Sequence, residues 1–190
     1  MKIIKFRNID NPSALEIDVI PDSAIQKSGK PFFVPDFAER FTYRMATAVH
    51  VCRLGKNIAA KFANRYYEEA GLCLVFEATD MLKSLKAKGL PTAAATDFDA
   101  AVIAGETTAT AVATLGKSDA VLTIDNAEAE RFTTPSAADF DRCIETASRY
   151  FTLKIGDLIL IDDGQRHDAV IDNRVTATIA DTESVYIKIK

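Results

Sequence analysis

Nine short runs of alternating or β-branched residues are spread over the whole chain, at 2–7, 14–19, 43–54, 72–76, 120–124, 157–161, 168–171, 175–179 and 184–189. Alternation of apolar and polar side chains suits a pleated strand with one buried face, and runs this short are strands rather than helices. Most of the chain is therefore expected to be sheet, and whatever helices it has must be fitted between strands.

Three segments carry helix signals. Asn57 is placed to cap a helix that sets Ala59, Phe62, Ala63 and Tyr66 on one face, with Gly71 just past its end. Thr79 is placed to cap a second helix through Met81, Leu82 and Leu85, which Gly89 and Pro91 then stop. The third signal is a capping box in Pro135-Ser136-Ala137-Ala138-Asp139, followed at helical spacing by Phe140, Cys143, Ile144, Ala147 and Phe151. A meander of strands with helices inserted singly is neither a doubly wound α/β pattern nor a bundle. The residues thus predict an α+β, strand-rich fold over 1–190 as one domain, and a chain of this length buries roughly 70% of the surface its unfolded form exposes.

Composition closes off several functions. The net charge of −4 is spread along the chain, so a basic footprint for nucleic acid is missing. Cys52, Cys73 and Cys143 are odd in number and lie in apolar runs, as buried thiols do in a reducing compartment. The opening apolar stretch is broken at once by Arg7, Asn8 and Asp10, too soon for a signal peptide or a membrane span. A cytoplasmic protein without nucleic-acid or membrane partners is expected.

Several motifs, in order, resemble those of the fumarylacetoacetate hydrolase family. Pro21-Asp22-Ser23-Ala24-Ile25 with Gly29-Lys30-Pro31-Phe32-Phe33-Val34-Pro35 looks like the family's segment leading into its site. Arg53-Leu54-Gly55-Lys56-Asn57-Ile58 is similar to the turn after its metal-bearing strand, and Phe151-Thr152-Leu153-Lys154-Ile155-Gly156-Asp157-Leu158-Ile159 to its late Thr-Leu-x-x-Gly-Asp-Leu-Ile strand. The resemblance implies the family's mixed β-sandwich roll, with a few inserted helices, usually seen as a homodimer. It also implies chemistry on small oxo-acids, whose oxygens a bound Mg²⁺, Mn²⁺ or Ca²⁺ polarises.

The chain departs from the family at each position with that duty. Phe41-Thr42-Tyr43-Arg44-Met45-Ala46-Thr47 stands where the family writes Tyr-Glu-x-Glu-Leu, and Leu74-Val75-Phe76-Glu77-Ala78-Thr79-Asp80 where it writes Asp-x-Thr/Ser-Ala-Arg-Asp. Arg44, Ala46 and Val75 thus occupy the former metal-ligand positions, and none offers the anionic oxygen that a hard cation needs. Thr96 stands at the family's lysine, Asp162-Asp163-Gly164 at its Gly-Thr-Pro turn, and the stretch from Asn8 to Asp22 lacks its His and Glu pair. These departures suggest that the metal is lost and that no cofactor is used.

The remaining candidates are few. Arg44 is permanently cationic and binds carboxylates bidentately, so it is the candidate ligand-binding group, with Glu77 or Asp97 as a base; the alternative is that Arg44 and Glu77 pair and seal the cavity. Asp80 and Asp99 match acidic positions of the family that are structural, while His50 reads as a packed or surface imidazole. Asp162, Asp163, His167 and Asp168 read as a solvated turn rather than a metal site. Three functions follow as expectations: an inactive homologue serving as a binding or regulatory subunit, a metal-independent hydrolase, isomerase or decarboxylase of oxo-acids, and a small-carboxylate sensor or carrier.

Overall fold

A computed structural model of the chain describes residues 1–162 and 164–190. Its strands form two sheets. The larger has β2 (Glu16–Pro21), β1 (Lys2–Arg7), β9 (Leu158–Ile161), β4 (Phe41–Val51), β5 (Tyr67–Ala78), β6 (Val102–Thr108) and β3 (Ile25–Lys27) side by side, with the two-residue β10 (His167–Asp168) also paired to β4. The smaller has β12 (Thr182–Lys188), β11 (Arg174–Ile179), β7 (Asp119–Ile124) and β8 (Ala127–Thr133). Pairing is mixed, because β1 with β9 and β3 with β6 run parallel while the other pairs are antiparallel.

Period-two alternation sorts the large sheet's side chains onto two faces. Ile4 and Phe6 of β1, Tyr43, Met45 and Val49 of β4, Leu72, Leu74 and Phe76 of β5, and Ile159 and Ile161 of β9 point inward, into one cluster with Val175, Ala177, Val185 and Ile187 of the small sheet. Each such Leu or Ile contributes about 1.5–3 kcal/mol on full burial. Their neighbours point outward, where Ile3, Ala46, Ala48, Cys73, Val75, Leu158 and Leu160 form a second apolar cluster. The sheets approach closely at Gly105, where an added Cβ would lie 2.5 Å from the Ser184 carbonyl oxygen. Ser184 also repairs the register shift between Gly71 and Cys73, its hydroxyl accepting from the Leu72 N–H (2.9 Å) and donating to the Glu106 carbonyl (2.8 Å).

The helices are α1 (Ala60–Ala63), α2 (Thr79–Ala87), α3 (Ala93–Thr96), α4 (Ala109–Ala113) and α5 (Ala137–Tyr150). The expected capping box is present on α5: Asp139 N–H donates to the Ser136 hydroxyl while the Asp139 carboxylate accepts from the Ser136 N–H at 2.8 Å. Phe140, Cys143, Ile144 and Ala147 then enter the main core, as their spacing predicts.

Elsewhere the structure differs from the sequence pattern. Asn57 is not a cap, since it has φ +52°, α1 starts after Ala59, and Gly71 lies within β5. Pairing of Tyr67 with Val51 claims residues that the helical periodicity had assigned to α1. The strands β3, β6 and β8 lie outside the nine expected runs, and the 168–171 run contributes only its first residue to β10. None of the helices among the described residues is long and apolar enough to cross a membrane.

Gly105→Ala is expected to destabilise the chain by at least about 1–3 kcal/mol, because the new methyl would press on backbone of both sheets. Ser136→Ala should cost only about 1 kcal/mol. Urea unfolding of both variants checks the order; an equal or larger loss at Ser136 would contradict it.

Candidate functional site

At one end of its outer face the large sheet exchanges apolar side chains for charged ones. Lys5 and Arg7 follow Ile3 on that face of β1, and Asp162 follows Leu160 just beyond β9. Arg44 shares its face of β4 with Ala46, and Glu77 shares its face of β5 with Val75. The β4–β5 register sets Thr42 opposite Glu77 and Arg44 opposite Val75. Because β9 lies between β1 and β4, these residues converge on one area.

Lys5 and Asp162 are buried, and buried charges must be paired. Lys5, only 7% exposed, has its Nζ 3.1 Å from Asp18. Arg7 lies 3.5 Å from Asp162 and 3.8 Å from Glu16, and Arg166 forms an ion pair with Glu77. Asp162 is 3% exposed; burial pushes its carboxyl up to about 6, although Lys5, Arg7 and Arg44 pull the other way. Arg44 is lowered from the ordinary guanidinium value, chiefly by burial and then by the Arg7 charge. Its Nη1 donates to the Gly164 carbonyl at 2.6 Å, while its Nε, like Asp162 Oδ1, is buried without a hydrogen-bond partner among the described residues.

Beside this cluster lies a cleft. A cavity of about 320 Å³ reaches Lys5, Arg7, Thr92 and Thr96, a second of about 290 Å³ reaches Lys83 and Arg166, and both are lined by Glu77, Leu82 and Lys86. Five cations, Lys5, Arg7, Lys83, Lys86 and Arg166, thus face three carboxylates, Glu16, Asp18 and Glu77, on a chain whose net charge is −4. Exposed Lys83 and Lys86 at the mouth are outside the ion pairs of the described residues. The field in the cleft favours an anion.

The residues singled out from sequence are distributed as follows. Arg44 and Glu77 share the charged area but are not paired with each other: Glu77 takes Arg166, and the Thr42 hydroxyl at 3.4 Å. Arg44 braces Gly164 and does not line the cleft. Ala46 and Val75 are packed in the outer apolar cluster. Thr96 lines the cleft and donates to Asp97 at 2.9 Å, and burial raises the Asp97 carboxyl above its usual range. Asp80 accepts from the Glu39 and Arg40 amides, and Asp99 is exposed. His50 lines a separate trough of about 330 Å³ with Ala48 and Cys73. In the expected turn Asp162 turns to Arg7, His167 to Glu130 and Asp168 to Arg40, while Asp163 lies outside the described residues. Sequence reasoning missed Lys5, Arg7, Lys83, Lys86 and Arg166. The signal for the first two was there, since alternation in Lys2–Arg7 puts Lys5 and Arg7 on one face of a strand.

No family model matches the sequence, and no curated protein matches it. Solved structures do match in fold. A protein of Yersinia pestis CO92, described as of the fumarylacetoacetate hydrolase family, superposes with a TM-score of 0.87 at 17% identity, over 100% of this chain and 92% of that one. The 2-hydroxyhepta-2,4-diene-1,7-dioate isomerase of Mycobacterium marinum gives 0.84 at 20% identity, over 99% of this chain and 73% of that one. Fumarylpyruvate hydrolase of Pseudomonas aeruginosa, in complex with Mn²⁺ and pyruvate, gives 0.83 at 16% identity, over 100% of this chain and 90% of that one. The fold that the motifs implied is the fold observed.

The Pseudomonas structure corrects one expectation. Lack of carboxylates at 44, 46 and 75 suggested a chain without a cofactor, but this fold is seen with Mn²⁺ bound in that hydrolase, so the expected lack does not stand. Residues 44, 46 and 75 themselves do not fit a hard cation, since a guanidinium, a methyl and an isopropyl group offer no anionic oxygen. Among the described residues no three His, Cys, Asp or Glu side chains gather as a metal site.

Asp162 gives the cluster a measurable pH dependence. A carboxyl whose folded value is raised binds its proton more tightly in the folded state, so its contribution to stability is complete below about pH 4 and is lost as pH rises through 6. Wild-type stability minus that of Asp162→Asn should therefore fall with rising pH across this window, by on the order of 3 kcal/mol in all. Urea unfolding at intervals from pH 4 to pH 7 reads the difference, and a flat or rising curve would refute the assignment.

Proposed function

We propose that this chain is a divergent member of the fumarylacetoacetate hydrolase family that binds a small carboxylate in the Lys5–Arg7 cleft, as a binding or regulatory protein that does not turn its ligand over. The observation that carries this reading is the excess of cations in the cleft. Arg7 and Lys5 form its inner end, Lys86 and Lys83 its mouth, and Thr92 and Thr96 supply hydroxyls along one wall. A carboxylate entering there exchanges hydration for charge-assisted hydrogen bonds.

Among the described residues the three carboxylates that line the cleft are each engaged with a cation, which supports a reading without a free base there. Asp18 holds Lys5, Asp162 and Glu16 hold Arg7, and Glu77 holds Arg166. Asp97 is tied to the Thr96 hydroxyl. Arg44, the ligand-binding candidate of the sequence, is used on the Gly164 carbonyl. Such an arrangement recognises an anion without a partner to move its protons.

Pyruvate, oxaloacetate or succinate at about 100 times its Kd should stabilise the wild-type protein by about 2.7 kcal/mol, read as a raised melting temperature. Lys86→Ala, at an exposed position, should keep the fold and weaken the affinity several-fold, with the loss shrinking at high salt. NMR of the mixtures should show each ligand unchanged after prolonged incubation. Protein-dependent conversion, with or without added Mn²⁺, would overturn the non-catalytic reading; absence of stabilisation by all three would overturn the binding reading.

A further inference from the structure

The cleft's second wall is held from the opposite sheet. Residues 164–168 run along β4 as a strap, and Gly164 lies so close to that strand that an added Cβ would sit 2.2 Å from the Met45 carbonyl oxygen. Outward from the strap, Arg166 reaches Glu77 and lines the cleft. Inward, the strap meets Glu130 of β8, a carboxylate of the small sheet that is 5% exposed. Glu130 Oε1 accepts from the Gln165 amide at 2.6 Å, and Oε2 lies 3.0 Å from His167 Nε2. One buried side chain thus holds the residues on both sides of Arg166.

We infer that Glu130 is a positioning residue for the cleft: from the small sheet it clamps the strap at Gln165 and His167 and thereby sets Arg166 against Glu77. This rests on the reading of the cleft as an anion site, but the clamp itself is a separate claim about the strap. A carboxylate buried to this degree is favourable only when its oxygens are occupied, and here both are occupied by the strap. Tyr43 supports the arrangement, since its ring packs on His167 at a centroid distance of 5.7 Å. With the clamp released, the strap keeps the two β10 pairings, the Arg40–Asp168 ion pair and the Arg44 bond to Gly164, so it loosens around residues 165 and 166 without leaving the sheet.

The test compares Glu130→Ala, Glu130→Gln, His167→Ala and Arg166→Ala by amide hydrogen exchange of the segment 164–168 and by affinity for oxaloacetate. Glu130→Ala should speed exchange in the strap with β1 and β9 unaffected, and should weaken oxaloacetate about tenfold through misplacement of Arg166. Glu130→Gln, which keeps an acceptor for the Gln165 amide, should restore much of the protection. Arg166→Ala should weaken the ligand while leaving strap exchange unchanged. Unchanged exchange in Glu130→Ala would overturn the clamp, and a loosened strap with unchanged affinity would overturn the positioning role. Should Glu130→Ala fail to fold, Glu130→Gln and His167→Ala carry the same comparison. Should wild-type protein ignore pyruvate, oxaloacetate and succinate alike, the anion reading fails and the exchange data alone decide the clamp; should it bind only one of the other two, that ligand replaces oxaloacetate in the comparison.

Discussion

The parallel pairing of β1 with β9 is the constraint on which the site depends. It joins the start of the chain to a strand more than 150 residues later, with Ile3 beside Leu158 and Phe6 beside Ile161. Asp157, fully buried at the head of β9, fastens the junction by accepting from the Lys2 and Lys154 amides at 2.9 and 2.8 Å and from the Lys2 ammonium. Closing so long a loop costs entropy that only a large contact area recovers. The return is an uninterrupted sheet in which β1 lies one strand away from β4, and hence a single surface shared by Arg7, Asp162, Arg44 and Glu77.

What that surface does is governed by the cost of burying charge. Two carboxylates, Asp162 and Glu77, sit among Lys5, Arg7, Arg44 and Arg166. Each cation lowers the cost of a nearby acid and raises that of the next cation, so removing one member disturbs them all. Only the deep part of the area is balanced in this way. Toward solvent, Lys83 and Lys86 add positive charge outside the ion pairs of the described residues, and the proposed anion site rests on that excess.

A shared fold does not carry a shared activity. Hydrolases and isomerases superpose on this chain at TM-scores of 0.83 and 0.84, with 16% and 20% identity, and one of them is seen with Mn²⁺ and pyruvate. Such resemblance establishes the two-sheet scaffold alone. The functional reading has to be made from the side chains that fill the charged end of the large sheet.

Those elements whose stability is local were legible in the amino-acid sequence. Alternation placed β1, β7, β9 and β11 to within a residue or two, the Ser136 to Asp139 capping box fixed the start of α5, and parity along β4 and β5 put Arg44 with Ala46 and Glu77 with Val75. In each case the information lies within a few neighbouring residues, as period or as a cap. Tertiary structure decided what depends on partners far along the chain. Tyr67 joined β5 because Val51 offered it a strand to pair with, Gly105 and Ser184 met because two sheets approach there, and Glu77 took Arg166 of the segment paired along β4 rather than Arg44. Lys5 and Arg7 could be recognised from sequence as one polar face of a strand. That this face lies beside Asp162 follows only from the order of strands in the sheet, which long-range pairing sets and local periodicity does not encode.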